Sequence, residues 1–245
     1  MGDVEVLTYG DDPEQKAELH RPAARSHGVV VVLHGGFWRA AYDWTLARPL
    51  AESLARHGWT ALNLEYRRVG NGGGFPETLD DVSAGIDLLA GVDDLDTSRV
   101  VTLGHSAGGQ LAVWAAGRPQ LDDDRWSSPK VRVTGAVSQA GVLDLRAAAD
   151  QGLGGGAVAA FLGADTDGRH DLADPLARVP LDVPVWCIHG RDDLQVPIEQ
   201  SRTYVQAARA AGARAGLATV DGDHFALIDI STPAWVRTLE LLDEL

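Results

Sequence analysis

A serine that could act as a nucleophile lies in the stretch Val100–Ala112, where an apolar run ends in Gly-His-Ser-Ala-Gly and passes directly into a helical pattern. A strand, a sharp turn and a helix in this order form a nucleophile elbow, which holds the serine hydroxyl above the edge of a sheet. The turn accepts only small neighbours, and Gly104, Ala107 and Gly108 meet that requirement. Ser106 is therefore the predicted nucleophile.

Two aspartates that follow a later apolar run are the candidates for the acid. A serine hydroxyl is a weak nucleophile, so it needs a base and a third group that orients the base. After an elbow serine, the acid and then the base come later in the chain. The run Val183–His189 predicts a strand, and Asp192 and Asp193 follow it. We favour Asp193, which stands three residues before Val196 in the usual spacing of such an acid. Asp192 is then interpreted as a turn residue.

His224 is the candidate base. It follows Ala215–Val220, the last predicted strand of the chain, and of the eight histidines it alone has that position. His105 adjoins the serine, but neighbours on a sharp turn point apart, so we interpret it as a scaffold residue. The predicted catalytic residues are Ser106, Asp193 and His224.

Backbone N–H groups are predicted to stabilise the negative charge of a tetrahedral intermediate. Such an oxyanion hole uses the residue after the nucleophile, here Ala107, together with a loop that follows an early strand. That strand is predicted at Val29–Leu33, and His-Gly-Gly-Phe-Trp follows it. Because two glycines let the backbone approach a substrate closely, we assign the other donors to Gly36 and Phe37. His34 is interpreted as an anchor of the loop.

Aromatic residues near these motifs are the candidates for substrate binding. Trp38 follows the oxyanion loop, Phe75 lies in a glycine-rich loop, and Phe161 lies in an apolar segment after a run of glycines. Residues 144–180 separate two predicted strands, where a cap over the site and a plain surface loop are equally open interpretations. Crowding by the rings of Phe37 and Trp38 predicts a preference for short acyl groups.

Apolar runs alternate with helical patterns, which is typical of an α/β protein with a parallel sheet and crossover helices. The 245 residues fit a single domain, 1–245. Further strands are predicted at Thr60–Tyr66, Arg99–Leu103 and Val131–Ser138, with Val4–Tyr9 as an antiparallel edge strand. Helices are predicted at Thr45–Arg56, Thr78–Leu89, Gly108–Ala116, Ile198–Ala211 and Pro233–Leu242.

Charge and composition argue against several classes of function. The net charge of −14 disfavours nucleic acid and anionic membrane surfaces as partners. The histidines are scattered and the glycine-rich loops lack phosphate-binding patterns, so no metal and no cofactor is predicted. The first residues lack the pattern of a secretory signal and no apolar run is long enough to span a bilayer, so a cytoplasmic location is expected. The oligomeric state stays open.

Four motifs in this order resemble those of the α/β-hydrolase superfamily. They are His-Gly-Gly-Phe-Trp from His34, Gly-His-Ser-Ala-Gly-Gly from Gly104, Gly-Arg-Asp-Asp-Leu-Gln-Val-Pro from Gly190 and Gly-Asp-His-Phe from Gly222. The resemblance covers nearly the whole chain and implies a mostly parallel twisted sheet with helices on both faces. The motif His-Gly-Gly-x-Trp is similar to that of kynurenine formamidases (arylformamidases) and related carboxylesterases. Phe37 replaces the third glycine of the motif His-Gly-Gly-Gly, which argues against the hormone-sensitive-lipase branch.

The resemblance implies an acyl hydrolase that cleaves an ester or an aryl formamide of a small molecule through an acyl-enzyme. A peptidase or an acyltransferase could use the same residues. The acid loop also resembles the catalytic domain of prolyl oligopeptidases, but their large N-terminal propeller does not fit in this chain. A non-catalytic ligand receptor is disfavoured, because such proteins usually lose part of the triad. The expected partner is therefore a small-molecule acyl substrate.

Overall fold

Eight strands form one sheet in the computed structural model, which describes residues 4–163 and 167–245. The strands are β1 (Val4–Thr8), β2 (Lys16–His20), β3 (Val29–Leu33), β4 (Thr60–Leu64), β5 (Val100–His105), β6 (Gly135–Gln139), β7 (Val185–Gly190) and β8 (Ala215–Val220). Their order is β1-β2-β4-β3-β5-β6-β7-β8. The pairs β1–β2 and β2–β4 are antiparallel, and all pairs from β4 to β8 are parallel.

Helices cover both faces of this sheet. They are α1 (Arg48–Arg56), α2 (Glu77–Asp87), α3 (Ala107–Ala116), α4 (Leu145–Asp150), α5 (Leu153–Leu162), α6 (Asp167–Ala173), α7 (Glu199–Ala210) and α8 (Pro233–Asp243). In β3, Val29, Val31 and Leu33 belong to a core that contains buried residues of α2, α3 and α7. Val30 and Val32 belong to a second core with residues of α1 and α8. Because alternate residues of a strand point to opposite faces, an unbroken apolar run is typical of such a doubly covered strand.

The carboxyl ends of the parallel strands bring the predicted chemistry to one edge of the sheet. β5 runs into α3 with Ser106 as the single connecting residue. The loops after β3, β7 and β8 carry His34, Asp193 and His224 respectively. Loops at the carboxyl ends of parallel strands share one edge, so residues far apart in the sequence can meet there.

The predicted α/β-hydrolase fold is confirmed by the mostly parallel sheet and its two helical layers. β3 and β8 have the predicted bounds, and the edge strand β1 pairs antiparallel as expected. The predicted helix Thr45–Arg56 is divided, since a short 3-10 helix at Trp44–Leu46 precedes α1.

Strand β2 was not predicted, because its sequence Lys-Ala-Glu-Leu-His does not look like a buried strand. Glu18 is nevertheless buried in it. Its carboxylate accepts hydrogen bonds from the Arg48 guanidinium at 2.7 Å and from the Asn63 amide at 2.9 Å. A buried carboxylate that is paired in this way is tolerated, but the partners come from other segments and are invisible in the local pattern.

The predicted insertion at 144–180 contains α4, α5 and α6, while residues 164–166 of it lie outside the described residues. Three consecutive glycines at the start of α5 have positive φ angles. The first of them, Gly154, lies against Phe37, since a Cβ there would be 2.4 Å from Cδ1 of the ring. Arg39 donates a hydrogen bond to the carbonyl of Gly154 at 2.5 Å. The insertion thus contacts the predicted oxyanion loop, and its role as a cap stays a prediction.

Candidate active site

The turn at Ser106 has the tight geometry of a nucleophile elbow. Its φ of 56° and ψ of −119° lie in a backbone region that residues other than glycine rarely adopt. Such strain is typical of functional positions. A Cβ on Gly104 would be 1.9 Å from the carbonyl oxygen of Gly108. A Cβ on Gly108 would be 2.1 Å from the carbonyl oxygen of Leu33. The two glycines are therefore required for the close approach of β5, α3 and the oxyanion loop.

Asp193 and His224 form a buried hydrogen-bonded pair. The Nδ1 of His224 donates to Oδ2 of Asp193 at 2.7 Å, and the aspartate side chain is 1% exposed. Its Oδ1 accepts the backbone N–H groups of Gln195 at 2.8 Å and Val196 at 2.9 Å. Asp192, by contrast, is exposed. The structure thus brings the favoured aspartate, and not its neighbour, to the histidine.

The surroundings of Asp193 keep its carboxyl group ionised. Burial alone would raise its pKa, but contacts with His189 and His224 and the N–H of Val196 outweigh burial and hold the pKa well below its usual range. His189 Nε2 lies 3.4 Å from Oδ2 and also bonds to the Val196 carbonyl at 2.9 Å. A carboxylate in this position can stabilise a protonated imidazole at His224.

His105 has a defined contact in addition to its place beside the serine. Its Nε2 donates to the backbone carbonyl of His224 at 2.9 Å. Burial and the proximity of His224 lower the pKa of His105 to about 3, so its imidazole is neutral. His105 thereby orients the loop that carries His224. Among the hydrogen bonds of the described residues, none joins His224 to the hydroxyl of Ser106, and such contacts often tighten only when substrate binds.

The loop after β3 presents free backbone donors. Gly36, Phe37 and Trp38 have φ angles of 115°, 53° and 56°. Positive φ angles turn the backbone of the loop. They are strained at Phe37 and Trp38, because these residues carry side chains. In the described part of the chain, the N–H groups of Gly36, Phe37 and Ala107 donate to no protein acceptor. They are the three donors predicted for the oxyanion hole.

His34 anchors the start of this loop through buried contacts, in agreement with its interpretation from the sequence. Its ring stacks on Tyr66 with centroids 4.4 Å apart, and its Nε2 lies 3.0 Å from a carboxylate oxygen of Glu65. The Tyr66 hydroxyl donates to the His34 carbonyl at 2.7 Å. Glu65 also accepts a hydrogen bond from Arg68. These buried contacts fix the start of the oxyanion loop.

A cleft of about 120 Å³ lies beside the serine. It is formed by the segments that follow β3, β7 and β8, together with the end of β5 and the serine after it. Its lining residues are Gly35, Gly36, Phe37, Tyr42, Leu46, His105, Ser106, Gln195, His224, Phe225 and Ile228. The cleft thus brings together a serine, an imidazole and backbone donors, which is the set of groups that acyl transfer needs.

None of the three residues predicted for substrate binding, Trp38, Phe75 and Phe161, is among those that line this cleft. Trp38 is 1% exposed, stacks on buried Phe161 with ring centroids 4.8 Å apart, and donates its indole N–H to Gln110. Phe75 packs edge-on against Trp126 with centroids 6.0 Å apart. The prediction for Trp38, Phe75 and Phe161 is therefore corrected: each of these rings packs against another aromatic ring of the fold instead of lining the cleft.

The other cleft side chains were missed by the sequence argument. Gln195 lies two residues after Asp193 and Phe225 directly follows His224, and this proximity in the sequence was the available signal. Tyr42, Leu46 and Ile228 gave none, because they belong to no motif; Leu46 and Ile228 lie in short 3-10 helices.

The described residues contain neither a candidate metal site nor a candidate membrane-spanning helix. Within residues 4–163 and 167–245, no group of three or more His, Cys, Asp or Glu side chains could hold a metal ion. In those same ranges no helix has the length and apolarity needed to cross a membrane.

Known proteins resemble this chain in sequence and in structure. Esterase LipC of Mycobacterium tuberculosis is 28% identical over 83% of this chain, which spans 54% of that relative's length. Esterase 2 of Thermogutta terrifontis, solved phosphoramylated by tabun, has a TM-score of 0.75 and 25% identity, with 98% of this chain and 92% of that one covered. A truncated carbohydrate esterase from gut microbiota has a TM-score of 0.79 at 19% identity, with 99% and 96% covered, and supports the fold alone.

A family model gives the broader assignment. The model of the family described as BD-FAE matches residues 18–207, which is most of the chain. The matched region contains the elbow with Ser106 and the acid loop with Asp193, and it ends before His224. The similarity of His-Gly-Gly-Phe-Trp to kynurenine formamidases rests on that motif and stays a prediction. By its sequence and its α/β-hydrolase fold, the chain belongs to the BD-FAE family.

Proposed function

We propose that this protein is a serine-dependent carboxylic ester hydrolase that acts on small esters with short acyl groups. The observation that carries the proposal is the 2.7 Å hydrogen bond between His224 and Asp193, at the wall of the cleft that Ser106 also lines. The esterases among the similar proteins support the reaction class.

The proposed reaction proceeds through an acyl-enzyme. His224 takes the hydroxyl proton of Ser106 as its oxygen attacks the ester carbonyl, while Asp193 stabilises the imidazolium that forms. The backbone N–H groups of Gly36, Phe37 and Ala107 donate to the oxyanion of the tetrahedral intermediate. His224 then gives its proton to the leaving alcohol. Water, activated by the same histidine, hydrolyses the acyl-enzyme and regenerates the serine.

The size of the cleft supports short acyl groups. Its volume of about 120 Å³ is small, below the roughly 150 Å³ of an engineered apolar cavity that binds benzene. The Phe37 ring lines the cleft and lies against Gly154. Trp38 lies in the core, so its ring does not narrow the cleft. The restriction therefore follows from Phe37 and from the cleft volume.

A panel of para-nitrophenyl esters from acetyl to octanoyl, with N-formylkynurenine alongside, tests this proposal. We expect kcat/KM to fall with chain length, although each added methylene favours transfer from water by about 0.8 kcal/mol. A steady rise towards octanoyl would contradict the short-acyl assignment. Turnover of N-formylkynurenine ahead of all the esters would instead favour the aryl formamidase that the loop motif predicts.

A further inference from the structure

The wall of the cleft beside His224 carries an exposed aromatic ring that the mechanism does not use. Phe225 is 57% exposed, whereas Phe37 and Phe75 are half-buried and Phe161 is buried. Its ring stands edge-on to the imidazole of His224, with centroids 5.4 Å apart and planes at 84°. An exposed aromatic side chain in contact with the proposed base is placed to touch a substrate.

The path of the proton decides which part of an ester lies on this wall. Nδ1 of His224 is occupied by Asp193, so the proton for the leaving alcohol must come from Nε2. The leaving oxygen must therefore approach the imidazole. The cleft residues that follow His224 and Asp193 in the chain are Phe225, Ile228 and Gln195.

The small volume of the cleft places the leaving group at its mouth. The cleft volume of about 120 Å³ is below the roughly 150 Å³ of a cavity that binds one benzene molecule, so a bound acyl group and carbonyl leave little room in it. The leaving group must then rest on the partly exposed side chains of the rim. These side chains form two groups. Tyr42 and Leu46 follow the oxyanion loop, and Tyr42 lies against Gly36. On the side of His224 and Asp193 stand the apolar Phe225 and Ile228 and the amide of Gln195, which makes no hydrogen bond within the described residues.

The charges around this wall oppose an anionic group. Among the residues that the structure describes, no Lys, Arg, Asp or Glu side chain lines the cleft. The carboxylate of Asp223 accepts the backbone N–H groups of Phe225 and Ala226 at 3.0 Å, so a negative charge lies against the backbone that carries the ring. Asp229 is exposed nearby in the chain, and the protein as a whole carries a net charge of −14. A negative leaving group would meet unfavourable potential here.

We propose that Phe225, Ile228 and Gln195 form a leaving-group subsite that selects esters of uncharged aromatic alcohols and phenols. The aromatic group stacks on Phe225 and packs on Ile228, while the amide of Gln195 contacts its polar substituents. This inference rests on the proposed ester hydrolysis and specifies its substrate class.

Acetate esters with different alcohols test the aromatic contact. Phenyl acetate and ethyl acetate share the acyl group, and their intrinsic reactivities cancel when a variant is compared with the wild type. Phe225→Ala should lower kcat/KM for phenyl acetate about tenfold more than for ethyl acetate, which corresponds to ~1.4 kcal/mol of transition-state binding. Val236→Ala is the control, because Val236 is also exposed, at 55%, but lies on α8 outside the cleft. An equal effect of Phe225→Ala on both esters would overturn the subsite.

A charge introduced at Gln195 tests the selection against anions. Gln195→Lys should raise kcat/KM for 4-carboxyphenyl acetate relative to phenyl acetate by about threefold, the scale of an exposed ion pair. Gln206→Lys adds the same charge on the exposed face of α7 and should leave the ratio unchanged. Equal ratios for both lysine variants would contradict the assignment of Gln195.

The two proposals fail in different ways. A wild-type protein that hydrolyses both acetates without responding to these substitutions remains an esterase, and the subsite alone is wrong. A wild-type protein that hydrolyses no ester and does not react with a fluorophosphonate contradicts ester hydrolysis and the subsite together.

Discussion

At the scale of single residues, the two neighbouring aspartates of the acid loop have opposite environments. Asp193 is buried and bonds to His224 and two backbone N–H groups, while Asp192 is exposed. Asp193→Asn should lower kcat by about 10⁴-fold, since an amide in place of this acid favours the wrong imidazole tautomer. Asp192→Asn should change kcat by less than about twofold, as expected for an exposed residue.

Steady-state kinetics on para-nitrophenyl acetate measure both variants, with thermal unfolding as the check that each one folds. If Asp192→Asn were the inactive variant and Asp193→Asn active, the assignment of the acid would be wrong by one residue.

His105 makes the stability of the protein depend on pH. Its pKa is lowered to about 3 in the folded protein, whereas an unfolded chain protonates histidine near 6.5. Acidification from pH 7.5 to 5 therefore stabilises the unfolded state, by on the order of 2 kcal/mol for this residue. In urea unfolding, His105→Gln should reduce the loss of stability over this pH range by about that amount. The same pH dependence in wild type and variant would refute a neutral, buried His105.

At the scale of elements, the start of α5 is expected to set the position of Phe37. Gly154 and Gly156 have positive φ angles of 61° and 81°, so alanine at either one meets a similar backbone cost. Only at Gly154 would the new methyl group collide with Phe37. At Gly156, apart from chain neighbours and the backbone of its own helix, no heavy atom of the described residues lies within 4 Å of a Cβ. Gly154→Ala should lower kcat/KM about tenfold, since displaced groups in a site lose rate steeply. Gly156→Ala should lower it less than about threefold.

Ester kinetics and thermal unfolding of the two alanine variants separate the two effects. Similar losses of stability with unequal losses of activity are expected. Equal activities would show that the insertion between β6 and β7 does not influence the cleft.

The elements that position Ser106 could be predicted because their signals are local. The apolar run of β5, the small residues of the elbow and the start of α3 occur in one stretch. Strand β2 could not be predicted, because its buried Glu18 depends on Arg48 and Asn63 from distant segments. Local patterns therefore identify the elements that position Ser106 but miss a strand whose burial depends on tertiary pairing.

At the scale of the whole molecule, the order of the motifs predicted that residues far apart in the sequence lie together at one edge of the sheet. Parallel strands place their following loops at one edge, so Asp193 and His224 could be paired from sequence although 31 residues separate them. The cleft wall could not be predicted in the same way. Trp38 and Phe161 are aromatic residues near the motifs, which suggested substrate binding. In the fold their rings are buried against each other.

The central claim, that Ser106 is an activated nucleophile, is tested most directly by covalent labelling. The intact protein is treated with a fluorophosphonate, digested, and the modified peptide is identified by mass spectrometry. We predict a single adduct on Ser106, and none on a folded Ser106→Ala variant, whose ester hydrolysis should fall by at least about a thousandfold. An unlabelled wild-type protein, or a Ser106→Ala variant with near-wild-type activity, would contradict the claim.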